Sequence, residues 1–154
     1  MRKIFAVTLL SVAAFATQAM AATNFSGEWK LNLSKSDYGP VPAPEFMNRS
    51  IQQTDASILI KTHQKGAAGE SKTELKYTLD GKENTNVING TPSKGTAKLV
   101  DDKLIIESVR ELQGAELKSK ETWSLSGGGK VLTINNHANF QGNEFDLVIV
   151  FEKQ

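Results

Sequence analysis

The sequence contains no cysteine. That absence excludes disulfides, zinc ribbons, iron–sulfur ligation, a thiol nucleophile and a lipid-modified N-terminal cysteine. Histidine is nearly absent too: only His63 and His137 occur, far apart along the chain. Two such residues do not make a zinc site, so no metal is expected. No Gly-x-Ser-x-Gly, phosphate loop or His-Glu-x-x-His is present, and no catalytic residues are expected. Charge of one sign is lacking: 18 basic residues face 17 acidic ones, for a net charge of +1. A near-neutral chain has no basic stripe for nucleic acid and no polybasic patch for a membrane surface. No apolar run reaches the ~20 residues needed to span a bilayer.

One apolar stretch is present at the N-terminus. Met1-Arg2-Lys3 is a short positive region, Ile4 to Phe15 is almost wholly apolar, and Ala19-Met20-Ala21 fits the small-x-small cleavage rule. This pattern predicts a secretory signal peptide over residues 1–21, in a bacterial style that places the product in the periplasm or medium. Without Arg2 and Lys3, 16 basic residues face 17 acidic ones, so the exported chain carries about one negative charge. An exported protein without cysteine is held by its core alone. In a eukaryotic host, Asn24, Asn32, Asn48 and Asn89 would be glycosylation sequons.

Residues 22–154 form one expected domain with no helical period. Alternating runs punctuated by turn residues predict ten strands: Gly27–Asn32, Met47–Gln53, Ile58–Gln64, Ser71–Leu79, Asn84–Ile88, Gly95–Val100, Lys103–Arg110, Leu117–Leu125, Val131–Phe140 and Phe145–Glu152. Turn chemistry at Asp80-Gly81, Asn89-Gly90, Asp101-Asp102, Gln113-Gly114, Gly127–Gly129 and Gln141-Gly142-Asn143 joins successive strands as antiparallel neighbours. Closing such a meander into an up-and-down antiparallel β-barrel hides its edges, and an all-β barrel is the expected fold. Pro40, Pro42 and Pro44 stiffen the one long connection, which is expected to cross one mouth of the barrel.

Register predicts which side chains face inward. Two-residue turns at Asp101-Asp102 and Gln113-Gly114 pair Ala97 with Ile106, Arg110 with Leu117, Ser108 with Ser119, Ile106 with Glu121 and Leu104 with Trp123. The next hairpins extend the same face, setting Trp123 against Ile134, then Ile134 against Phe151, Asn136 against Ile149, Ala138 against Leu147 and Phe140 against Phe145. Leu75 and Tyr77 join it from one side, and Arg49 joins it if Ile51 points in. The candidate interior is therefore Arg49, Leu75, Tyr77, Ile106, Ser108, Arg110, Ser119, Glu121, Trp123, Asn136 and Phe151. Small polar residues among large apolar ones suit a cavity for an amphipathic ligand; the alternative is that they sit near solvated mouths. Arg49 and Arg110, the only arginines after Ala21, could each grip a ligand carboxylate or phosphate, or one could pair with Glu121 as a structural or rim charge. His63 and His137 fall on the outward parity, which argues against an axial haem ligand, and no cofactor is expected.

The run Asn24-Phe25-Ser26-Gly27-Glu28-Trp29-Lys30-Leu31 opens the exported chain. Together with the ten-strand meander it resembles the calycin superfamily, which includes lipocalins and intracellular fatty-acid-binding proteins. It is most similar to exported bacterial lipocalin-like proteins that begin with Phe-Ser-Gly-x-Trp-Lys-Leu-Asn. Those carry a Lys-Ser and Pro-rich stretch, here Lys35-Ser36 through Pro44, and a Trp-x-Leu-Ser turn, here Trp123–Ser126. Gly27 suits a sharp turn at a barrel floor and Trp29 suits a plug there. The resemblance implies that Lys153 packs over Trp29, a structural role. The chain departs from fatty-acid-binding proteins in two ways. Its first connection is too short for their two helices, and their Arg-x-Tyr carboxylate anchor on the last strand is replaced by Ile149 and Phe151. The resemblance implies a monomeric, non-enzymatic protein that binds a small hydrophobic or amphipathic ligand. The competing expectation is a periplasmic interaction or inhibitor barrel with a packed core, acting through the Pro-rich loop or the Gln113-Gly114 tip.

Overall fold

A computed structural model of the protein describes residues 21–154; the expected signal peptide lies, but for Ala21, outside the described residues. Ten antiparallel strands form one sheet: β1 Gly27–Leu31, β2 Phe46–Gln53, β3 Ser57–Gly66, β4 Gly69–Thr78, β5 Asn84–Ile88, β6 Thr91–Val100, β7 Lys103–Leu112, β8 Ala115–Ser126, β9 Val131–Phe140 and β10 Asn143–Lys153. The spatial order is β4-β3-β2-β1-β10-β9-β8-β7-β6-β5, so the first strand pairs with the last and the sheet curls into a nearly closed barrel. A single 3-10 turn, Leu33–Lys35, is the one helical element among the described residues. Its first residue is capped by Asn32, whose Oδ1 accepts from Lys35 N–H at 3.2 Å.

Local turn chemistry sets most of the register. Asn89-Gly90, Gln113-Gly114 and Gln141-Gly142 are two-residue turns with φ of +49° and +81°, +53° and +78°, and +54° and +80°. Positive φ at both central positions matches the right-handed twist of the flanking strands. The pairings Ala97–Ile106, Ser108–Ser119, Ile106–Glu121 and Trp123–Ile134 are as the sequence pattern predicts. The last hairpin differs. Its turn is two residues, not four, so Ile134 faces Ile149, Asn136 faces Leu147, Ala138 faces Phe145 and Phe140 faces Asn143. A slip of two residues keeps the inward parity, so the same side chains still face the interior.

The other departure lies between β4 and β5. These strands are consecutive, yet they share no backbone ladder. Asparagine side chains span the gap: Asn86 Oδ1 accepts from Lys76 N–H at 2.8 Å, and its Nδ2 donates to Lys76 O at 3.2 Å. Asn84 Oδ1 accepts from Thr78 N–H at 3.3 Å, and its Nδ2 donates to Thr78 Oγ1 at 3.1 Å.

One end of the barrel is packed shut. Phe25, Trp29, Ile51, Ile58, Leu104, Trp123, Leu132, Ile134 and Phe151 are each at most 2% exposed. The chain before β1 folds under this end. Phe25 N–H donates to Gln53 Oε1 at 2.9 Å, Gln53 Nε2 donates to Thr23 O at 2.9 Å, and Trp29 Nε1 donates to Phe25 O at 3.0 Å. Phe25 meets Trp123 edge to face, with ring centroids 5.9 Å apart. Gly27 has φ +146°, and a methyl there would stand 2.5 Å from Lys153 Cε. The Lys153 ammonium lies over Trp29, 5.4 Å from the ring centroid.

At the other end β1 stops short, and the connection to β2 takes over its place beside β10. Asp37 and Val148 exchange backbone hydrogen bonds of 2.7 and 2.8 Å. Pro40 and Val41 then stand at the open mouth, the position expected of the proline-stiffened segment.

Candidate ligand site

Above the packed floor the barrel is hollow. A cavity of about 680 Å³ opens toward the mouth. Strand direction orders its wall in levels. On β8 the inward series runs Trp123, Glu121, Ser119, Leu117 from floor to mouth, and on β9 it runs Ile134, Asn136, Ala138, Phe140. The middle level is polar: Arg49, Thr62, Ser93, Ser108, Ser119 and Asn136 face the cavity there. Ser119 Oγ and Asn136 Oδ1 are 2.7 Å apart, with the hydroxyl donating. The mouth level is mainly apolar, with Val41, Leu112, Leu117, Phe140 and Phe145, and Arg110 stands among them.

Arg49, Leu75, Tyr77, Ile106, Ser108, Arg110, Ser119, Glu121, Trp123 and Asn136 all reach the cavity wall. Phe151 does not; it is fully buried in the floor, with its ring centroid 5.1 Å from the Arg49 guanidinium carbon. The same carbon lies 5.4 Å from the Trp123 ring centroid. Among the described residues no carboxylate forms an ion pair with either arginine, so the pairing considered for Glu121 does not occur. Glu121 Oε2 instead accepts a hydrogen bond from Trp123 Nε1 at 2.7 Å.

Several wall residues escaped the sequence reading. Thr62 and Gln64 continue the inward parity of Ile58 and Ile60 on β3, and Ser93 continues that of Ala97 on β6, so parity alone could have found them. Tyr38 is not part of the wall; it packs against the core from the β1–β2 connection, and nothing local marks it. Gly95 has a steric reason. A methyl there would stand 2.7 Å from the Glu107 carbonyl oxygen and 3.1 Å from Tyr77 Cε1, so its bare backbone makes room for the Tyr77 ring.

The electrostatics follow from desolvation. Burial pushes the Tyr77 phenol up to about 12, with the nearby Glu121 charge adding to it. Burial also raises Tyr38, against an opposing pull from Arg49. Burial lowers the Arg49 guanidinium, and Glu121, Tyr38 and Tyr77 raise it in turn; an arginine stays charged throughout. Burial lowers Arg110 as well.

Both histidines face outward, His63 beside Glu70 and His137 Nδ1 2.8 Å from Asp146 Oδ1. Among the described residues no group of three or more potential ligands gathers for a metal ion. No helix among them is long and apolar enough to cross a membrane. The outer face carries an open hollow of about 560 Å³ edged by Lys94, Glu107, Lys118, Lys120 and Glu144.

No protein-family model and no curated protein sequence matches the chain. Solved structures do. A zebrafish ileal bile acid-binding protein complexed with cholic acid is 20% identical, with a TM-score of 0.59, over 84% of this chain and 98% of that one. A secretory abundant heat soluble protein from Ramazzottius varieornatus is 11% identical, with a TM-score of 0.62, over 87% and 98%. A fatty acid transporter is 16% identical, with a TM-score of 0.58, over 84% and 98%. At these identities the likeness establishes the fold, which is the calycin-type barrel.

Proposed function

We propose that this chain is a non-enzymatic binding protein that holds a small apolar or amphipathic ligand inside its barrel, as a monomer. The observation that carries the reading is the cavity of about 680 Å³, closed below by a packed floor and open above. That volume lies in the range of small-molecule sites, roughly 300–1,000 Å³. Its wall mixes apolar surface with convergent polar groups, which is how such sites combine affinity with orientation. The similar barrels named for bile acid binding and fatty acid transport support the same reading by analogy of fold. A packed-core interaction module would need a filled interior, and the hollow weighs against it.

The site of action belongs to this proposal too. The charged, apolar and small-residue segments of residues 1–21 support export, so the chain works in a bacterial periplasm or the surrounding medium. The test is native mass spectrometry of the mature protein purified from its own source, followed by denaturation. A stoichiometric small molecule released on unfolding is the expected result. Protein that arrives empty and fails to bind a panel of lipids and amphiphiles would overturn the reading. N-terminal sequencing of the same sample should begin at Ala22.

A further inference from the structure

We propose that Arg49 on β2 forms an oxyanion subsite inside the barrel. The ligand is then an amphiphile with one singly charged acidic head, bound head inward with its apolar part toward the mouth. This deepens the carrier reading and rests on it.

The Arg49 guanidinium is unused by the fold. Arg49 offers five N–H donors in a rigid fork. Its Nε is sealed from solvent and has no hydrogen-bond partner. No carboxylate of the described residues pairs with it, and the nearby Glu121 is engaged by Trp123 Nε1. What holds the group is aromatic: the Trp123 and Phe151 rings, at 5.4 and 5.1 Å, orient the fork without satisfying its donors. A second unsatisfied group is buried in the β1–β2 connection. The Tyr38 hydroxyl is also sealed and unpartnered. Two buried polar groups from separate segments, β2 and the β1–β2 connection, are thus left without partners, and of the two Arg49 reaches the cavity wall. Buried polar groups are ordinarily partnered, and a charged one most of all. Where the Arg49 guanidinium meets the cavity, a bound oxyanion supplies an acceptor and a counter-charge that the chain does not.

The surroundings narrow the ligand. Glu121 faces the same cavity as Arg49 and Arg110, so the wall carries one net positive charge. A head with a single negative charge is matched by the fork, whereas the second charge of a phosphate monoester meets that carboxylate. A carboxylate, or an alkyl sulfate of the same charge, fits. Orientation follows from the levels of the wall. Arg49 lies in the polar middle, and Leu112, Leu117, Phe140 and Phe145 line the way out. The anchor is therefore on β2, since Ile149 and Phe151 on β10 offer no donor.

The test uses the mature protein stripped of ligand and three probes sharing one tail: dodecanoate, 1-dodecanol and dodecyl phosphate, titrated calorimetrically below micellar concentrations. Wild type should bind dodecanoate roughly ten- to a hundred-fold more tightly than dodecanol, the worth of charge-assisted hydrogen bonds. It should bind dodecyl phosphate less tightly than dodecanoate. Arg49→Met should erase the preference for the acid while leaving dodecanol binding in place. Arg110→Met should keep the preference. Arg49→Lys retains the charge without the fork and should give an intermediate preference, which keeps the test open if Arg49→Met does not fold. Equal binding of acid and alcohol by wild type, or a preference surviving in Arg49→Met, would sink the subsite and leave the carrier reading intact. Tighter binding of the phosphate would overturn the single-charge requirement. Failure of wild type to bind any of the three would count against the carrier reading beneath it.

Discussion

Asn86 is expected to hold the barrel shut at its one unlaced seam. Its carboxamide accepts from Lys76 N–H at 2.8 Å and donates to Lys76 O at 3.2 Å, which copies one rung of a sheet ladder. Asn86 is only 9% exposed, so water does not readily replace it. Asn86→Leu keeps much of the volume and removes both bonds. Each is worth ~1 kcal/mol net, and the stranded Lys76 groups add a further ~0–1 kcal/mol because Lys76 is exposed and partly rehydrates. The expected loss is therefore ~2–3 kcal/mol, read as a lower urea midpoint at unchanged slope. For a domain of this size it corresponds to a Tm lower by roughly 6–12 °C. Hydrogen exchange supplies the local readout: the Lys76 and Thr78 amides should exchange faster than those of the β7–β8 ladder, whose rungs are all backbone. A midpoint unchanged from wild type, or Lys76 protection equal in the two proteins, would refute the idea that this side chain closes the seam.

Three further outcomes follow from the packing and the charges. Gly95→Ala puts a methyl 2.7 Å from the Glu107 carbonyl oxygen, which the sheet cannot move cheaply. It should cost ~1–3 kcal/mol in denaturant melts, and a neutral result would show that the strand shifts freely. Gly27→Ala adds strain at φ +146° and pushes Lys153 off Trp29. It should cost ~1–3 kcal/mol, part of which Lys153→Ala should relieve in a double-mutant cycle; strict additivity would deny the contact. Tyr77, raised to about 12, and Tyr38, also raised, are the chain's two tyrosines. Because the folded state holds both phenolic protons more tightly, their stabilisation is full below the ordinary value near 10 and is lost as pH climbs toward 12. Phenolate absorbance of the folded protein at about pH 10 should fall well short of the half-ionisation seen in urea; matching curves would place both rings in water.

Much of the fold was legible because its determinants are local. Alternation of Leu104, Ile106, Ser108 and Arg110 marks an inward face whatever surrounds it, and Gln113-Gly114 sets the register of its hairpin by turn length alone. Where the local signal was ambiguous, the reading slipped. Gln141-Gly142-Asn143 admits a two-residue or a longer turn, and the twist of β9 and β10 selects the shorter, moving the pairing by two.

Other features depend on the whole barrel. Asp80-Gly81 looks like any hairpin turn, but the curl of ten strands leaves β4 and β5 too far apart to ladder, and asparagines span the space. Tyr38 reaches the core only because β1 ends early and the chain crosses beside β10. The state of Arg49 is likewise a tertiary result. Sequence parity sends it inward and makes Glu121 an available partner; in the folded barrel Trp123 Nε1 takes that carboxylate, and the guanidinium lies over the aromatic rings unpaired. By itself, then, the sequence determined the strands, their inward faces and the chemistry of the side chains there. Only the closed barrel decided that this interior is a cavity with an unpaired cation and not a filled core, because volume and depth arise from all ten strands at once.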